Sequence, residues 1–161
     1  MKRVILMRHA KSSWTDPSQT DHQRVLNNRG KRDTPIVAAK ILAHGILPEL
    51  IYVSDAQRTQ ETWELLSKQL PKIQTIFSTS LYLASSDSLI ETIKQTDNLI
   101  DTVMLIAHNP GITEAFYSLG GVNIDNVPTC GVGCLTFHTD KFENITDCKK
   151  ELEYFYYPKM L

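Results

Sequence analysis

With 161 residues and 42% hydrophobic content, the chain holds enough apolar material for one core of ordinary domain size, and we read residues 1–161 as a single domain. Its 17 lysines and arginines nearly balance its 18 aspartates and glutamates, which excludes a whole-molecule field directed at nucleic acid or an anionic membrane and confines anion binding to a local pocket. The first apolar run is only Val4 to Met7 and no later run reaches membrane length, so we expect neither a signal-peptide core nor a membrane span, and a cytoplasmic protein.

Val4 to Met7 is short, continuous and β-branched at its start, as a strand covered on both faces should be. Asn27 or Asn28 can cap a helix that carries Ile36, Val37, Ile41 and Leu42 and stops at His44-Gly45; Pro35 inside it predicts a frayed first turn or a kink. Leu50 to Val53 reads as a strand, Arg58 to Leu70 as a helix ended by Pro71, and Ile73 to Phe77 as a third strand. A helix through Leu89, Ile90 and Ile93 follows, then a strand over Thr102 to Ala107 that runs through Val103, Met104, Leu105 and Ile106 without a polar break. Asn109-Pro110-Gly111 punctuates the chain before a short helix that Gly120-Gly121 stops. Val132 to His138 and Leu152 to Tyr157 complete the strands. Cys130, Cys134 and Cys148 form no CxxC pair and read as buried reduced thiols, not as a disulfide framework or structural zinc site. Alternating β and α elements predict an α/β three-layer sandwich, with a mostly parallel central sheet and helices on both faces.

Ligands of such sheets bind outside the carboxyl ends of the strands. There the first strand delivers Arg8 and His9, the second leads to Arg58, and the fourth delivers His108. Arginine offers a planar fork of donors matched to phosphate oxygens and keeps its charge, so Arg8 and Arg58 suit a phosphoryl dianion. Neutral imidazole offers a nucleophilic nitrogen. The sequence has no HExxH zinc motif, no GxxxxGK[ST] loop and no CxxxxxR phosphatase loop, which leaves His9 as the best nucleophile and His108 as a donor to the transition-state oxygens. No metal or cofactor is expected.

Arg8-His9-Ala10, Ser54-x-Ala56-x-Arg58-x-x-x-Thr62 and His108-Asn109-Pro110 resemble, in order and at the right strand ends, the signature of the histidine phosphatase superfamily. LMRHAKSSW and LNNRGKRDTP are similar to the small SixA-like phosphohistidine phosphatases of that superfamily. The resemblance implies a phosphoglycerate-mutase-like fold, a phosphorylated His9, a phosphate pocket of Arg8, Arg58 and His108, and a loop over residues 11–30 beside it. From that loop Asp21 and Arg24 are expected at the substrate, as is Asn109 from the third motif.

Two departures sharpen the expectation. Ala10 stands where many relatives carry glycine. Ser80-Leu81-Tyr82-Leu83-Ala84-Ser85 lacks the glutamate with which larger ester phosphatases protonate the leaving oxygen, and only Asp16, Asp21 or Glu91 remains to be brought in by a loop. Alkoxides need such an acid, worth about 10²- to 10⁴-fold, whereas a phosphohistidine leaves as imidazole. The expected substrate is a phosphohistidine-bearing protein, such as a phosphorelay or phosphotransferase component, acted on by a monomer. The alternatives are a small phosphate ester or a non-catalytic phosphate-binding module. His22, His44 and His138 belong to no motif and read as structural or solvated, and Ser54 and Thr62 as capping and packing groups.

Overall fold

Val4, Ile5, Leu6 and Met7 are all fully buried, and they point alternately into two different cores. Their strand, β1 (Lys2–Arg8), lies inside a six-stranded sheet. Val4 and Leu6 join the core on one face, and Ile5 and Met7 join the core on the other. Period-two side-chain alternation is what converts an apolar run into the middle of three layers. Each such aliphatic side chain contributes roughly 1.5–3 kcal/mol on burial.

The computed structural model describes residues 1–161. From β1 the chain runs through α1 (Asn28–His44), β2 (Leu50–Ser54), α2 (Gln57–Ser67), β3 (Gln74–Ser78), α3 (Ser86–Lys94), β4 (Thr102–Ala107), α4 (Gly111–Gly120), β5 (Val132–Phe137) and β6 (Lys150–Tyr156). The sheet order is β3-β2-β4-β1-β5-β6. The first four strands are mutually parallel, and β5 and β6 extend the sheet in antiparallel fashion. Val37 and Ile41 of α1 and Trp63 and Leu66 of α2 cover one face; Leu89 and Ile93 of α3 and Ile112, Phe116 and Leu119 of α4 cover the other. This is the expected α/β sandwich. No helix is long and apolar enough to cross a membrane.

The Asn27 side chain caps α1 by accepting from the Gly30 amide, an interaction worth about 1 kcal/mol, and Gly45 ends the helix in the left-handed conformation at φ 88°. Pro35 does not break the helix, which is continuous across it. The second helix ends at Ser67, short of Leu70, and the last strand starts at Lys150, earlier than its apolar residues suggest. Cys130 and Cys134 are buried, and burial pushes both thiols up to about 12. Cys148 departs from expectation in being only half-buried.

Two glycines permit close approaches next to the sheet's carboxyl edge. A Cβ on Gly30 would lie 2.3 Å from the Lys11 carbonyl oxygen, and one on Gly111 would lie 2.2 Å from that of Ala84. The first turn of α1 is thereby packed against the segment after His9, and the start of α4 against the turn after β3.

Candidate active site

Register decides which side chains meet. β1 and β4 pair in parallel with Arg8 opposite Ala107, so the next residues, His9 and His108, leave neighbouring strand ends together, their ring centroids 5.2 Å apart. On the other side of β4 lies β2, whose exit turn leads directly into α2 and places Arg58 between the two rings. His9, Arg58 and His108 are 6%, 3% and 2% exposed, so three polar side chains that a core would reject share one desolvated spot.

The hydrogen bonds fix the tautomers. Ala10 offers a carbonyl oxygen to His9 Nδ1 at 2.7 Å, and a carbonyl only accepts; the proton is therefore on Nδ1, and the lone pair is on Nε2. Arg58 donates from Nε to that lone pair at 3.3 Å and from Nη2 to His108 Nδ1 at 3.3 Å. His108 then carries its proton on Nε2 and gives it to Ser54 Oγ at 2.7 Å. Burial, reinforced by the neighbouring arginines, lowers both histidines to about 3, so both are neutral at ordinary pH.

The far edge of Arg58 is held by Asp21. Its Nη1 donates to the Asp21 carbonyl at 2.7 Å and its Nη2 to the Asp21 carboxylate at 3.1 Å. The same carboxylate accepts from Arg24 at 2.9 Å and from the Tyr82 hydroxyl. Partial burial works to raise its pKa, but these donors and the Arg58 charge win and hold the group well below the usual carboxylate range. Asp21 is thus an ionised anchor in this arrangement, not a proton donor. Of the other two carboxylates considered as acids, Asp16 is exposed and bonded to Ser18, and Glu91 is exposed on α3.

A pocket of about 240 Å³ opens over these groups, lined among others by Arg8, His9, Arg24, Arg58, Leu83 and His108. Arg8 donates to the Val127 carbonyl at 3.0 Å, while its Nε is buried without any partner, an orphan donor of the kind that an anion satisfies. Its pKa is lowered, by burial first and by Arg58 second. Arg24 lies flat on Trp14, 3.3 Å from the ring centre, and donates to the Ser13 carbonyl and to Ser12 Oγ. Asn109 lines the pocket, but its amide is fully engaged elsewhere: it donates to Asn126 and Val127 and accepts twice from Thr113. That places Asn109 as a brace for the loop behind the pocket, with no free donor for a substrate. Ser54 goes beyond the packing role expected for it, because it orients His108; Thr62 bridges the Ala10 amide and the Arg58 carbonyl, tying β1 to α2.

Sequence reasoning missed Tyr82 and the His22–Asp55 pair. His22 Nε2 lies 2.8 Å from Asp55, and its ring meets Tyr82 edge-on at 4.8 Å; Tyr82 in turn stands edge-on to His108 at 5.5 Å. His22 is therefore a partnered structural group beside the site. The available signal was Thr20-x-x-Gln23, a capping box that forms the short turn presenting Asp21 and His22. No group of three or more histidine, cysteine or acidic side chains is placed to hold a metal ion.

The sequence profile of the histidine phosphatase superfamily (branch 1) matches residues 4–81, the segment carrying Arg8, His9 and Arg58. An uncharacterized chloroplastic protein of Arabidopsis thaliana is 35% identical in an alignment 154 positions long that covers 88% of this chain and 69% of that protein. The chain belongs to the histidine phosphatase superfamily. Among solved members, a protein of Agrobacterium tumefaciens assigned as phosphohistidine phosphatase SixA superposes with a TM-score of 0.84 at 27% identity, covering 98% of both chains. A protein histidine phosphatase SixA complexed with tungstate shares the fold, with a TM-score of 0.82 at 18% identity over 98% of each chain. Within the superfamily, the stretch from Ser80 to Ser85 is where this chain presents no carboxylate: Leu83 lines the pocket there, 56% exposed and at φ 51°.

Proposed function

We propose that the protein is a phosphohistidine phosphatase that transfers the phosphoryl group of a protein histidine to His9 and then to water. The observation that carries this reading is the pairing of an unprotonated His9 Nε2, whose lone pair meets only the Arg58 Nε–H at 3.3 Å, with a pocket whose sole nearby carboxylate, Asp21, is ionised and held by three donors. The likeness to the Agrobacterium SixA supports it.

In the first step the Nε2 lone pair forms the N–P bond as the bond to the substrate imidazole breaks, and that imidazole departs neutral once its other nitrogen carries a proton from solvent. The Nε/Nη2 edge of Arg58 and the unpaired Nε of Arg8 take the equatorial oxygens, where charge accumulates. Burial first and the Arg58 charge second keep His108 neutral in the empty pocket; an incoming dianion opposes both and favours the protonated, donating ring. In the second step the Ala10 carbonyl matters: it keeps the proton on Nδ1, so phospho-His9 is an imidazolium that leaves as neutral imidazole. Water then forms the new P–O bond and yields its proton to the released phosphate. No alkoxide is expelled in either step, so no general acid is needed.

Rapid mixing with a phosphohistidine protein or peptide tests this. Acid-labile phosphate on the enzyme, absent in His9→Ala, together with faster release from phosphohistidine than from alkyl phosphates, is the expected result. A clear preference for esters establishes the small-ester reading instead, and phosphate binding with no labelling and no turnover establishes the binding-module reading.

A further inference from the structure

Beside the phosphoryl pocket lies a second one of about 230 Å³, bounded by Arg8, Lys11, Arg29, Thr129, Tyr157 and Lys159. Arg8 and Lys11 line both pockets, so the two adjoin. Arg29, with Lys159, also borders the adjoining depression that includes Arg32. The carboxylate on this face is Asp33, buried and held 3.5 Å from both Arg29 and Arg32. Lys11 and Lys159 carry no salt bridge, and Arg8 keeps a buried Nε with no partner. A chain with a net charge of −1 has therefore gathered five cations against one carboxylate on the flank of its active site. Such concentration is costly through self-repulsion unless an anion meets it, and it raises local anion concentration and encounter rate.

We infer that this second pocket is a docking subsite for aspartate and glutamate side chains that flank the phosphorylated residue on the substrate protein. The inference rests on the phosphatase reading of the neighbouring site and adds which protein surfaces that site accepts. The occupant is peptide carboxylate and not nucleic acid, because the basic residues form a compact cluster and not a track. Its one lining aromatic, Tyr157, is half-buried against Phe155, so no platform is offered for stacking successive bases. Lys159 and Arg29 form the outer wall, away from the histidines, and act on recognition without touching the reacting atoms.

The experiment measures binding of fluorescein-labelled peptide pairs to the His9→Ala protein by anisotropy. One pair carries phosphohistidine and the other phosphoserine, each with either a glutamate-rich or a lysine-rich flank; a single-stranded oligonucleotide serves as a third probe. The acidic flank is expected to bind about tenfold tighter in both pairs, as two or three partly exposed ion pairs together supply. That preference should shrink below about threefold at high salt and in a His9→Ala/Lys159→Glu protein. Lys159→Glu in the otherwise wild-type chain should leave turnover of phosphoramidate unchanged. Flank-independent binding, no binding, or tighter binding of the oligonucleotide overturns the subsite. Failure of the wild type to hydrolyse the phosphohistidine pair while it hydrolyses the phosphoserine pair overturns the phosphohistidine reading in favour of an ester phosphatase, and leaves the flank preference measurable on its own.

Discussion

Arg58 points its Nε–H at the Nε2 lone pair of His9 across 3.3 Å, and with the same edge of its guanidinium reaches His108. That edge therefore stands beside the nitrogen that would form the new bond. Once the lone pair turns to phosphorus, the donors released from it lie next to the phosphoryl oxygens.

Arg58→Lys keeps the charge but replaces a planar fork by a point charge on a flexible stem. A fall in kcat/KM of about 10²- to 10³-fold is expected, the usual loss for one transition-state donor. Steady-state kinetics with a matched thermal melt check it; activity within threefold of wild type would refute the assigned geometry.

Asp21 is expected to act through Arg58. Asp21→Ala removes the carboxylate that holds the far edge of the guanidinium while leaving the main-chain carbonyl that also receives it. Misorientation of the fork should lower kcat by about 10- to 100-fold. Asp21→Asn, which preserves an acceptor, should recover part of that loss. A merely structural role predicts instead a lowered melting temperature with kcat unchanged.

Stability should fall already on mild acidification. His9 and His108 are lowered in the folded protein to about 3, against an ordinary value near 6.5, so unfolding takes up protons between those limits. The stability they contribute is complete above pH 6.5 and is lost as pH drops toward 3, by up to about 1.4 kcal/mol per pH unit for each histidine. Chemical denaturation at pH 7 and 5.5 should show this slope, and His9→Gln/His108→Gln should flatten it. Inorganic phosphate should also flatten it, because an anion between the arginines favours the protonated rings.

Adding an acid should widen the reaction. Leu83 lines the pocket in the segment that lacks a carboxylate. Leu83→Glu is expected to raise turnover of alkyl phosphates at least tenfold, within the range that general acid catalysis supplies. Turnover of phosphohistidine should stay within about twofold. The ratio of the two rates is the measurement, and an unchanged ratio would show that protonation of the leaving group does not limit ester cleavage.

Arg8 and His9 were legible because four buried residues end at them, and Arg58 and His108 because strand-end positions in an α/β sheet converge on one edge. Strand order itself was not readable, yet it is what seats β4 between β1 and β2 and brings His108 against Arg58. The roles of Asp21, His22 and Tyr82 were hidden for a related reason. They reach the site from a loop and a turn whose positions depend on close backbone approaches at Gly30 and Gly111, which no local periodicity encodes. Asn109 lines the pocket, but its engagement by Thr113, Asn126 and Val127 was not legible, because it depends on a loop that folds back from nearly twenty residues away.

The chain has two tryptophans in very different surroundings: Trp63 is sealed in the core beneath the sheet, and Trp14 is 73% exposed with the Arg24 guanidinium flat against its ring. A guanidinium so close is an electric perturbation of the indole. An anion that draws Arg24 toward the phosphoryl pocket would lift it away and change Trp14 emission, while Trp63 supplies a constant background. Trp14 emission is therefore expected to report pocket occupancy without any label, and Trp14→Phe to abolish the response.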